Sequence, residues 1–172
     1  MSIFAPKRHP IAVADDFKWS RVLAVTIPAV PVPQPRQRHA VRRMGSKMIA
    51  TNYTPAGHAV NAYKATVRLI VGNEWRRAPV SCIVRVKATF VFDRPACLCK
   101  PRSPSCRLWA DNAKDVDNLA KSTFDALNRL LWNDDRQVVS FVGKKVYRSL
   151  DESAHVLFEL FVPQELLAAV PL

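Results

Sequence analysis

Six of the fourteen acidic residues of this 172-residue chain fall between positions 111 and 135: Asp111, Asp115, Asp117, Asp125, Asp134 and Asp135. Only Lys114, Lys121 and Arg129 oppose them there, so the window carries a net −3 in a chain whose formal charge is +12, and the remainder carries +15. A chain so basic elsewhere is suited to a polyanion, and carboxylates set against phosphates repel them unless a cation lies between. Magnesium suits that place, being hard, oxygen-seeking and usually held by a few carboxylates plus substrate phosphate. Asp115 and Asp117 are two apart, and in an extended stretch entering a helix they project to one side and can share an ion. Asp117, Lys121, Asp125 and Asn128 then recur at steps of four, four and three, a polar stripe along the helix that follows. Asp134 and Asp135 return in a turn at its far end. An ordinary reading competes: carboxylates near a helix start cap it and offset its dipole, and Asp117 with Lys121 would make a plain surface ion pair. On that reading Asp134 merely caps its turn, and on either reading Asp111 and Asp125 are bystanders.

The elements that would position these residues follow from hydrophobic periodicity. RVLAVTI from Arg21 has strand character and runs into residues 28–35, where four prolines forbid a regular ladder and predict a stiff, extended loop. That loop turns basic, with Arg36, Arg38, Arg42, Arg43 and Lys47 and no acid before Glu74, a run suited to phosphate contact. Val60, Tyr63, Val67 and Val71 predict a helix over about 57–71, with Lys64 and Arg68 on its other face. Residues 80–92 read as a long strand and 97–112 as a surface loop. Leu119, Phe124, Leu127, Leu130 and Leu131 give residues 118–131 the apolar face of a second helix, with Asp117 at its N-cap. Residues 137–150 and 155–162 read as two final strands. The order β-α-β-α-β-β predicts a single α+β domain over residues 21–172, with a mixed or antiparallel sheet and two helices, preceded by a loosely held arm over residues 1–20.

Bulk properties narrow the function classes. A sequence pI near 10.1 puts nucleic acid first and an anionic membrane second. No apolar run approaches the roughly 20 residues that span a bilayer, and the N-terminus lacks a secretory core. The expected location is the cytoplasm, associated with the nucleoid, where Cys82, Cys97, Cys99 and Cys106 stay reduced. The C-x-C-x₆-C spacing of the last three fits no strong zinc pattern, which favours free thiols. His39, His58 and His155 have no nucleophile motif beside them and read as structural or phosphate-facing. Trp132 reads as a core anchor.

The acidic window resembles a known signature. Asp115-Val-Asp117-Asn118-Leu-Ala-Lys121, then Phe124-Asp125-Ala-Leu, then Trp132-Asn-Asp134-Asp135-Arg-Gln137-Val138 resemble the RusA family of Holliday junction resolvases. The proline-rich strand exit, Arg36, Arg38, Tyr53-Thr54-Pro55 and a lysine at 144 or 145 extend the likeness over about Val22 to Val162. It implies a RusA-like fold and a homodimeric, magnesium-dependent enzyme, manganese being able to substitute, that nicks opposing strands of a four-way DNA junction. Asp115, Asp117 and Asp135 would be metal ligands, Lys121 the essential lysine and Asp134 a support behind the third ligand. Branched DNA is the expected partner, without a membrane or a small-molecule cofactor. The long loop at 97–112 and the N-terminal arm depart from a compact member, and the turn from Leu127 to Trp132 is short for one. The competing function is a non-catalytic DNA-binding module whose acidic cluster is structural.

Overall fold

The computed structural model describes residues 18–35, 38–44, 47–53, 55 and 57–170. The expected arm therefore lies almost entirely outside the described residues. Alternation of apolar and polar residues builds β1 (Trp19–Ile27), whose start precedes the expected Arg21. The proline-rich segment follows without regular structure, but the basic stretch beyond it is not a loop. It forms β2 (Arg38–Met44) and β3 (Lys47–Tyr53), an antiparallel hairpin with Arg38 opposite Tyr53 and Met44 opposite Lys47. Its charge hides the strand signal, because basic residues replace the apolar alternation by which a strand is read from sequence.

Helix α1 (Ala59–Glu74) buries Val60, Tyr63, Val67 and Val71, the four positions its periodicity selects. His58 caps it, its Nδ1 accepting the Val60 amide at 3.1 Å, so this histidine is structural. After β4 (Val84–Phe92) the chain makes a 3₁₀ turn at Ala96–Leu98 and a short edge strand, β5 (Leu108–Trp109). Helix α2 (Val116–Leu127) then leads to a 3₁₀ turn at Asp135–Gln137, β6 (Val138–Tyr147) and β7 (His155–Pro163).

Five strands form one mixed sheet in the order β1-β7-β4-β6-β5, with β4 and β6 parallel and the other pairs antiparallel. The parallel pair requires a crossover, and α2 supplies it. Both helices pack on one sheet face. The core joins Tyr63, Val67 and Val71 of α1, Leu119 and Leu127 of α2, and the inward residues Val86, Ala88, Phe90, Val156, Phe158, Leu160 and Val162. Between the helices, Tyr63 Oη and Thr123 Oγ1 lie 2.9 Å apart, and burial pushes the Tyr63 phenol up to about 12. The fold is thus α+β with two helices on a mixed sheet, as expected, plus a hairpin and an edge strand that polar composition concealed.

The region at 94–107 is a loop pinned from inside. Arg94 is only 7% exposed and donates to the carbonyls of Leu98, Pro104, Ser105, Cys106 and Arg148. Arg107 forks onto Glu152 at 2.6 and 2.7 Å, which drives the Glu152 carboxyl down to about 2. Arg107 also lies 3.3 Å from His155, a buried ring tied to the Ser153 carbonyl. All four cysteines are free, and among the described residues no three His, Cys, Asp or Glu side chains gather as a metal site.

Candidate active site

Helix α2 begins two residues earlier than its apolar period implies. Asp115, not Asp117, is the N-cap, and Asp117 occupies the first turn. The two therefore do not share an extended strand geometry. The Asp115 side chain makes no capping hydrogen bond, so the capping account of this residue fails. Five acids are committed, Glu159 to Arg21, Asp125 to Lys64, Glu152 to Arg107, Asp134 to Arg136 and Asp93 to Arg148, whereas Glu74, Asp111, Asp151 and Glu165 form no salt bridge among the described residues. Among the described residues, Asp115, Asp117 and Lys121 enter none of these ion pairs. The ordinary Asp117–Lys121 surface pair is not formed, and all three side chains stand exposed.

One cavity of about 390 Å³ gathers Asp117, Lys121, Asp125 and Asp135 with Val116, Ala120, Phe124 and Phe141. Its polar wall is the stripe along α2, and its apolar floor is aromatic. Phe124 meets Trp132 and Phe141 edge to face, with centroids 5.8 and 5.3 Å apart. The Phe141 ring lies over Gly143, where a Cβ would come within 2.6 Å of it and 2.9 Å of Val116. A side chain at 143 would push against both the floor and the first turn of the helix. Asp125, set aside as a bystander, lines this cavity while its carboxylate holds Lys64 at 2.8 Å.

Asp135 is fixed from behind. Trp132 is fully buried, and its indole Nε1–H donates to Asp135 Oδ1 at 2.9 Å. The turn that carries both is anchored by Gln137, whose amide oxygen accepts from the Asn133 and Asp134 amides and whose amide nitrogen donates to the Val80 and Cys82 carbonyls. Asp134 accepts from the Arg136 amide, which lowers its pKa, and forms a capping box with Gln137. The approach from α2 is tight: Asn128 ends the helix, Arg129 takes φ 62°, and its amide donates to the Trp132 carbonyl at 2.7 Å. Gln137 and the Phe141–Gly143 floor were not singled out as functional. Gln137 does stand in the quoted motif, whereas Phe141 and Gly143 lie beyond it.

The eight residue steps from Asp117 to Asp125 span about 12 Å of helix. The acidic groups are therefore strung along α2 instead of forming a closed cage. Such an arrangement suits a magnesium ion that takes one or two carboxylates and completes its shell with water and substrate phosphate. Asp115 is not in the cavity lining and stands at the helix end.

The register of β6 separates the two candidate lysines. Phe141, Gly143 and Lys145 pair with Val86, Ala88 and Phe90 and share the helix-covered face, whereas Lys144 pairs with Thr89 and points to the opposite face. Lys145 Nζ donates to the Ala113 carbonyl at 3.2 Å, two residues before Asp115. Of the basic run, Arg36 lies outside the described residues, Arg38, Arg42, Arg43 and Lys47 fall on the hairpin, and Arg43 is exposed.

Compared with known families, residues 28–156 match the model described as Endodeoxyribonuclease RusA. No curated protein matches the chain. No helix is long and apolar enough to cross a membrane among the described residues.

Proposed function

Because this chain belongs to the RusA endodeoxyribonuclease family, we propose that it resolves four-way DNA junctions by paired, magnesium-dependent nicks. The observation that carries this reading is that Asp117 and Asp135 line one cavity with Lys121, and none of the three enters a salt bridge among the described residues. In a chain of charge +12, Asp115 and Asp117 are left without basic partners beside a lysine that is equally unpaired. Exposed opposite charges so close gain little from a pair in water, but uncommitted carboxylates remain ready for a cation and uncommitted lysines for phosphate.

Asp115 and Asp117 at the head of α2, and Asp135 on the following turn, would hold magnesium, or manganese in its place, with junction phosphates completing the shell. The bound ion would polarise the phosphate and lower the pKa of an attacking water. Lys121, one helical turn beyond Asp117, would offset negative charge gathering on the phosphoryl oxygens. Asp134 keeps the turn in shape through its capping box and so supports Asp135 indirectly. Lys145 and the basic hairpin would neutralise phosphates flanking the cut. Two symmetric cuts call for two such sites, which an isologous homodimer would provide.

The test is Asp117→Asn on a synthetic four-way junction in magnesium. Nicking is expected to disappear while junction affinity stays within a few-fold, and retained cleavage would refute the assignment. The absence of a closed three-acid cluster among the described residues favours one second reading, a junction-binding protein without catalysis. That protein would bind junctions and yield no nick across a full magnesium or manganese titration.

A further inference from the structure

A second cavity, of about 500 Å³, opens beside the start of α2 and is distinct from the carboxylate-lined one. One wall is the proline-rich segment, with Pro31 and Pro33. The rest of the lining is residues 92–95, Tyr147 and residues 112–114, and of the last three Asn112 and Lys114 are exposed. We infer that this slot receives a single unstacked nucleobase of the branched DNA, next to the phosphate that is cut. The inference rests on the endonuclease reading and names what the enzyme would recognise beyond phosphate.

Four features support a base as the occupant. The lining is mainly apolar, with Val30, Pro31, Val32, Pro33, Phe92 and Tyr147, and the slot falls within the roughly 300–1,000 Å³ of small-ligand sites. Asn112 and Lys114 are both exposed, so an amide able to donate and accept and a cation able to meet the same nucleotide's phosphate flank the opening. Lys114 directly precedes Asp115, so the slot borders the head of the helix that carries the proposed metal ligands. The walls are also fixed before any ligand arrives. The Gln34 amide donates to the Asn118 carbonyl at 2.8 Å and Ser122 Oγ to the Val32 carbonyl at 2.6 Å, which ties the proline wall to the helix that carries the carboxylates. On the other side, Arg94 is held by its five carbonyls and Asp93 by Arg148 at 2.9 Å, so neither leans into the slot as an unpaired charge.

Selectivity for branches follows physically. Within a continuous duplex every base is stacked and paired, and taking one out is costly. At a branch point that cost is smallest, so a rigid slot beside the carboxylates is filled most readily there. The proline wall then belongs to substrate recognition, which accounts for a stiff segment docked along the helix.

The experiment is a coupling cycle with Asp117→Asn protein, which binds without cutting. Junctions carry one abasic residue at each of the positions around the cut, and affinity is measured for the parent and for added Ala113→Leu, which fills the slot. The expected result is one position at which base loss weakens the parent at least tenfold, with no loss at that position once the slot is filled. A flat profile, or a loss that persists unchanged with Ala113→Leu, overturns the inference. Binding of linear duplex by the Ala113→Leu protein, expected to be unchanged, reports that it folds. Asn112→Ala, at an exposed residue of the lining, is a second variant that should reduce the same coupling and spare the other positions. All of these are binding measurements, so they stand apart from the endonuclease reading, which fails instead if the unsubstituted protein makes no nick across a full magnesium or manganese titration.

Discussion

Replacing Trp132 with Phe tests whether the indole positions the third acidic residue or only fills the core. The side chain is fully buried, and its single N–H points at Asp135 Oδ1 at 2.9 Å. A hydrogen bond to a charged group contributes about 1.5–3 kcal/mol. The low end applies here, because Asp135 is half-exposed and water can replace the lost donor. Shrinking the ring in a site packed against Phe124 adds about 1–2 kcal/mol for the cavity left behind. The total, about 2–4 kcal/mol, lowers a urea midpoint by about 1–2 M for an m-value near 2 kcal/mol/M. Function should change separately from stability. With its carboxylate free to rotate, Asp135 would hold metal more weakly, and lost supporting contacts to ligands typically cost 10–100-fold in affinity. Junction cleavage titrated with magnesium, at a temperature where the variant remains folded, should show the half-saturating concentration rising by that factor, and manganese binding should weaken in parallel. A variant with the lower urea midpoint but an unchanged metal titration would refute positioning and leave Trp132 as packing alone. Asp135→Asn serves as the reference, since it should remove the metal response whatever Trp132 does.

Two further outcomes are expected. Lys145→Ala should weaken junction binding and flatten its salt dependence by about one unit of slope if it meets one phosphate, whereas Lys144→Ala, on the other sheet face, should leave cleavage unchanged; equal effects would show that the strand register does not separate them. Arg107→Ala should destabilise the chain at neutral pH by removing the fork onto Glu152. The Glu152 carboxyl is depressed to about 2 from an ordinary 4.5, so this stabilisation is complete above about pH 4.5 and lost as pH falls toward 2. Urea melts of the two proteins should therefore converge over that range, and a gap of constant size would exclude the ion pair as its source.

Local physics made much of this chain legible. The 3.6-residue period of Val60, Tyr63, Val67 and Val71 selected the buried face of α1, because a helix in a small domain has only one face to bury. Alternation found β1, β4, β6 and β7, and charge segregation found the acidic segment. What local pattern did not reveal was the hairpin of β2 and β3, whose basic residues do not alternate with a core, and the two-residue edge strand β5. Cap geometry also lies beyond local pattern, since Asp115 and Asp117 both suit a helix start and only the first turn in the structure separates them.

The sequence by itself determined the residue types of the site, the family signature from Asp115 to Val138 and the +12 charge suited to a polyanion. Tertiary structure decided which acids are committed. Asp125 pairs with Lys64 across 61 positions of sequence, Asp135 is held by a buried indole, and Asp115 and Asp117 face no base. It also decided that Lys145 and not Lys144 stands on the helix side, and that the proline segment forms a wall of the slot beside α2. The physical reason is one of range: composition and period are set by neighbours a few residues away, whereas partnering and facing depend on strand register and helix docking between segments far apart in the chain.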